Sequence, residues 1–123
     1  RFTLTPGEVG HAFPTGDMLR RLVLDLTVVD ADGRVVETQA RALARHFGFE
    51  RTPFTPLRRV ELRDDRVGDG PREVVFHPKQ RPLAGRARYS LRWERVRAPD
   101  GGPDGGAIVA DAVTLAEGTI ALP

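Results

Sequence analysis

The chain has 123 residues, with 19 basic and 17 acidic side chains, three histidines and no cysteine. That length suits a single domain with a real core, and the missing cysteine excludes disulfides, thiolate nucleophiles, zinc–thiolate sites and covalent haem attachment through CxxCH within this segment. The net charge is only +2, and the arginines alternate with Glu61, Asp64, Asp65 and Glu94, so no nucleic-acid surface is expected. There is no apolar run long enough for a membrane-spanning segment.

Phe2 to Thr5 alternates apolar and polar residues, as a short strand does. Gly10-His11-Ala12-Phe13-Pro14-Thr15-Gly16 follows and reads as a compact turn. Its glycines permit positive φ, and Pro14 presets its own φ and biases Phe13 toward an extended backbone. Such a turn aims His11 in one direction. Next, Leu22, Leu24, Leu26 and Val28 recur at period two, with Val23 and Val29 on the opposite face. Asp30-Ala31-Asp32-Gly33 is a turn signal, and Arg34 to Thr38 is the returning strand of a hairpin.

Ala40 to Phe49 is open to two readings, a short helix or an extended strand. Arg51 to Pro56 carries two prolines and is expected to be a loop. Short strands are expected over Arg59 to Leu62 and Glu73 to Phe76, with Val67 to Pro71 breaking the chain between them. Ala87, Tyr89, Leu91 and Trp93 share one face, and Arg86, Arg88, Ser90, Arg92 and Glu94 share the other. This pattern predicts one side in the core and one in solvent. Pro99 to Gly106 is a long Gly/Pro/Asp loop. Ile108 to Leu115 and Gly118 to Leu122 supply the last one or two strands.

Seven or eight short strands at regular spacing, with little or no helix, point to an all-β antiparallel sandwich or barrel, of which an immunoglobulin-like β-sandwich is the expectation adopted. The domain is expected to span residues 1–123. Because the chain starts at Arg1 and not at Met, it reads as a processed protein or an excised domain.

Candidates for chemistry are few. His11, His46 and His77 show no HxH, HxxxH or HExxH spacing. Ser90, the only serine, lacks a nucleophile elbow, and no Gly-rich phosphate cradle is present. His77 precedes Pro78 at a strand end and reads as structural, while His46 reads as a half-exposed or partner-facing residue. Arg20 and Arg21 face opposite sides of their strand, and a salt bridge is the expected role there. An enzyme is therefore not expected. His11 remains either a turn histidine bonding backbone groups beside Thr15, or an imidazole offered to a metal of a neighbouring domain.

Gly-His-Ala-Phe-Pro-Thr-Gly, followed by Leu19-Arg20-Arg21, the Leu22 to Val28 strand and the Asp30 to Val36 hairpin, resembles a motif of multihaem c-type cytochromes. There a Gly-His-x-Phe-Pro-Thr-Gly turn opens a β-rich domain placed after the haem-bearing part. The likeness covers Gly10 to Val36, about a fifth of the chain. It implies a non-catalytic accessory domain, exported to the periplasm or cell surface, that packs on a haem-bearing cytochrome domain or other redox protein. It implies His11 as a candidate axial ligand to a haem iron held elsewhere, and Phe13, Pro14, Thr15 and Gly16 as the cofactor-side turn that shapes and packs the surroundings of His11. No haem would be covalently bound in this chain, and haem c would belong to the parent protein. The alternative expectation is an immunoglobulin-like binding module without a haem role. It calls for an exposed aromatic platform, for which Trp93 and Tyr89 are the candidates; their shared face with Ala87 and Leu91 places them in the core instead.

Overall fold

The computed structural model describes residues 1–7, 12–14, 19–68, 70–98 and 108–122. Eight strands and no helix are found among them: β1 (Phe2–Leu4), β2 (Arg20–Val29), β3 (Val35–Leu43), β4 (Arg45–Thr52), β5 (Thr55–Asp64), β6 (Arg72–Val74), β7 (Arg86–Ala98) and β8 (Ile108–Ala121). All pairings are antiparallel. The fold is thus all-β, as the turn spacing predicts, and is consistent with a sandwich. The strands are not uniformly short, since β7 and β8 run for 13 and 14 residues. The final region is one continuous strand rather than two.

A four-stranded sheet in the order β3-β2-β7-β8 carries the molecule, and β1 pairs with β6 to form a small second sheet. β2 is central because its apolar residues recur on both faces. Leu22, Leu24, Leu26 and Val28 fill one side, and Val23 and Val29 are buried on the other. The first side meets Val67, Val74 and Phe76, with Phe2 and Leu4 packed against the cluster. Phe2 meets the Phe76 ring edge-on at 5.9 Å and the Tyr89 ring at 5.1 Å, favourable geometry for aromatic pairs. Gly118 of β8 lies where any Cβ would collide with the Tyr89 ring, at 2.6 Å from its hydroxyl. Trp93 and Tyr89 are half-buried against this core, so they form no exposed platform.

The β2–β3 hairpin turns as expected. Asp30 Oδ1 accepts the backbone N–H of Asp32 and of Arg34, both at 2.9 Å. Gly33 takes φ 81°, a conformation that suits glycine.

The opposite face of β7 departs from the expectation of open solvent. Glu94 is only 4% exposed. Arg21 donates to its Oε2 through Nε at 2.8 Å, and Arg92 donates to its Oε1 at 3.3 Å. Arg92 also pairs with Asp25 of β2. Period two correctly separates the faces, but Arg21, Asp25, Arg92 and Glu94 close over each other as a paired network. A buried carboxylate persists only when paired in this way. Burial alone would lower the Arg92 pKa, and its bonds to Asp25 and Glu94 raise it instead.

One open reading is decided and one expectation is corrected. Ala40 to Phe49 is strand, split between the end of β3 and the start of β4, and the helical reading fails. Arg51 to Pro56 is not a loop but the tip of a β4–β5 hairpin, with only Pro53 and Phe54 outside the strands. Both prolines are tolerated there. Pro53 occupies the turn, and Pro56 lies in a strand paired on one side only, where a missing N–H costs little. The loop Pro99 to Gly106 lies outside the described residues.

Candidate functional site

Of the motif residues, His11 and Thr15 lie outside the described residues, as do Gly10 and Gly16. Ala12, Phe13 and Pro14 are described, and they are tied firmly to the body. Phe13 N–H donates to the Val67 carbonyl at 2.7 Å, and Val67 N–H donates to the Phe13 carbonyl at 3.0 Å, making an isolated antiparallel bridge. The Phe13–Pro14 peptide is cis. Pro14 is among the most deeply buried side chains, and Phe13 packs on the main core cluster.

The segment after β5 supplies the charges around this tether. Arg66 donates through Nε and Nη2 to the two oxygens of Asp64, at 2.9 and 2.7 Å. Its Nη1 donates to the Pro14 carbonyl at 3.3 Å. Bidentate pairing of this kind orients a guanidinium tightly. The side-chain bond from Arg66 holds the Asp64 carboxyl below its ordinary range, and Asp64 raises Arg66 in turn. Arg72 donates to the Arg66 carbonyl at 3.3 Å. Ala12, Arg66, Gly68, Arg72 and Glu73 line an open cleft of about 530 Å³. Ala12 is the residue after His11 in the chain, so the tether brings the described end of the motif to a cleft bearing two guanidiniums, Arg66 and Arg72, and two carboxylates, Asp64 and Glu73.

A haem presents two flat apolar faces and one edge carrying carboxylates. The cleft is walled by glycine, proline and charged side chains. Arg66 is already paired with Asp64, so Arg72 is the donor that fits the carboxylate edge, and the lining offers no slot for the apolar faces. Arg72 is the residue that would bond a propionate, and neither it nor Arg66 stood out in the sequence. The only signal for them was position, on either side of the Val67 to Pro71 break.

His46 lies elsewhere, at the base of the β4–β5 hairpin. Its Nε2 is 2.9 Å from Asp65 Oδ1, and the same oxygen accepts the Ala44 N–H at 2.8 Å. That pairing holds the ring in place, at the rim of a cleft it shares with Arg41, Arg63 and Arg72. His77 is exposed beyond β6, and its carbonyl accepts from Gln39 at 3.0 Å. Among the described residues no three His, Asp or Glu side chains gather where a metal ion could be held. Ser90 sits in mid-strand on β7, opposite Asp25 and Glu117. Arg21 makes the expected salt bridge, at 2.7 Å from Glu94.

One aromatic surface escaped the sequence reading. Phe49 and Phe54 of the β4–β5 hairpin are 70% and 95% exposed. Phe47 between them and the body is flanked by Arg45 and Arg59, whose guanidinium carbons lie 5.0 and 4.9 Å from the ring centroid. The signal was present as Phe47-Gly48-Phe49 and Phe54, but the two prolines disguised the strands that display them.

No family model, no curated protein and no solved structure matches this chain. No helix among the described residues is long and apolar enough to cross a membrane.

Proposed function

We propose that this chain is a non-catalytic accessory domain of an exported multihaem c-type cytochrome. It packs on the haem-bearing domain and lends His11 as an axial ligand to an iron held there. The observation that carries the reading is the anchoring of the motif. Its Phe13-Pro14 step is locked to the core by paired backbone bonds and complete burial of Pro14. A ligand-bearing segment needs such support, because ligation demands a fixed ring direction. Arg72, in the cleft that Ala12 also lines, supports it further, as a bonding partner for a propionate at the haem edge. Haem, when bound, supplies a one-electron couple whose potential depends on the axial ligand. The chain's part is to present His11, pair a propionate and keep the contact rigid.

The test is a haem titration of the domain, wild type beside His11→Ala, followed at the Soret band. The expected result is a saturable, red-shifted band with the wild type that the variant lacks. Equal spectra for the two would remove the ligand role. The second reading, an interaction module of an exported protein with no haem role, would then stand, and the exposed Phe49 and Phe54 are the observation that favours it.

A further inference from the structure

Two surfaces of this molecule are left without partners by the described chain. The first is the β4–β5 hairpin. No other described strand packs extensively on it, and an isolated two-stranded hairpin is marginal in water. Yet it holds Phe54 95%, Phe49 70%, Leu62 67% and Leu57 54% exposed. Its ten-residue β5 gives it a reach of roughly 30 Å.

The second surface is β8. It is the terminal strand of the main sheet and pairs only with β7, so one side of its backbone carries unpaired N–H and C=O groups. It is also bare on its faces, with Val113 51%, Leu115 49% and Ile120 41% exposed. The register puts Val113 beside Trp93 and Ile120 beside Ala87, on the side that packs the core. The covering layer is too small to reach them, because β1 and β6 have three residues each. Among the described residues no second layer covers β8.

Charge says how the two surfaces pair. The hairpin carries Arg45, Arg51, Arg58, Arg59 and Arg63 against Glu50, Glu61 and Asp64. β8 carries Asp111 and Glu117 and no base. Pairing β8 with another β8 would bring acids only toward acids, and pairing two hairpins would join two surfaces that are both net basic. Hairpin on β8 is the complementary combination. We propose that two copies of this chain exchange arms, the β4–β5 hairpin of each lying along the open β8 edge of the other. Strand addition supplies β8 with backbone partners, and the arm's apolar residues cover Val113, Leu115 and Ile120. Reciprocal exchange closes the pair under a twofold axis, so no filament follows. The proposal is independent of the haem reading.

Sedimentation velocity on the 123-residue chain, from low to high micromolar concentration, tests it. The wild type is expected to dimerise. Arg51→Glu with Arg63→Glu should weaken the dimer by about tenfold or more, through like charges across the contact. Asp111→Arg with Glu117→Arg should weaken it as well, and all four changes together should restore it. Circular dichroism of each variant confirms that its strands remain. A wild type that stays monomeric throughout, or a dimer indifferent to both charge reversals, overturns the proposal. So does a four-fold variant that stays weak while each pair alone weakens the dimer, because the two patches would then not face each other.

Discussion

The two edges of the main sheet are treated differently. At β3, Glu37 reaches off the edge and accepts the N–H groups of Lys79 and Gln80 at 2.8 and 2.9 Å. Gln39 of the same strand donates to the His77 carbonyl at 3.0 Å. Residues 77–80 thereby cover that edge, and the side chains that do it are polar. At β8 no described segment plays this role, and the strand exposes apolar residues on both faces. A protected edge needs only its own chain. An open apolar edge fourteen residues long is a place for another strand or a hazard for aggregation. The lesson is that this domain spends its polar side chains on one edge and leaves the other for assembly.

The comparison can be broken hardest at the strand between the edges. Leu24→Ala removes a side chain only 1% exposed, and should cost about 3 kcal/mol by urea denaturation. Leu115→Ala on β8 is expected to change stability by less than about 0.5 kcal/mol in dilute, monomeric conditions. Equal losses at the two positions would mean that β8 is buried in the isolated chain. Glu94→Ala comes next. It leaves Arg21 and Arg92 without their shared counterion, and a loss of about 2–3 kcal/mol is expected. A loss below about 0.5 kcal/mol would show that water, not Glu94, already serves those guanidiniums.

The smallest effect sharpens the edges themselves. The bond from Gln39, reinforced by the backbone N–H groups of Gln80 and Lys79, holds Glu37 below its ordinary carboxylate value. Arg66 does the same for Asp64. A carboxyl lowered by folding stabilises the protein above its unfolded pKa, and that contribution is lost as pH falls through the lowered folded value. Stability should therefore be flat above about pH 5 and fall below about pH 4. Glu37→Gln should flatten part of that acid slope. It should also speed amide exchange at Lys79 and Gln80 while leaving β8 amides unchanged. An acid slope identical to wild type would remove Glu37 as an edge guard.

The β2–β3 hairpin was legible in the sequence because two local signals agree there. Period-two apolar residues define the strand, and Asp30 to Gly33 chemically dictates the turn. The β4–β5 hairpin was not, because Ala40 to Phe49, which holds the start of β4, reads equally as helix, and Pro53 and Pro56 mimic a loop. Pairing in register decides such segments, and register is non-local. The motif at Gly10 to Gly16 was legible as a rigid turn. The partner that fixes it, Val67, stands more than fifty positions further along the chain, so no spacing rule could find it. Arg66 and Arg72 were hidden for the same reason, as two arginines among many until the fold brought them to Ala12.

Alternation of apolar and polar residues, with glycine and proline at the breaks, was enough to predict an all-β antiparallel chain whose strongest strand pattern is β2. It determined also that no cysteine chemistry takes place in this segment. Tertiary structure alone decided that Glu94 is buried, that one sheet edge is guarded and the other open, and that an aromatic arm stands out from the body. The physical reason is one of range. Periodicity tells which way a side chain points from its own strand, while burial and pairing depend on what the rest of the chain places opposite it.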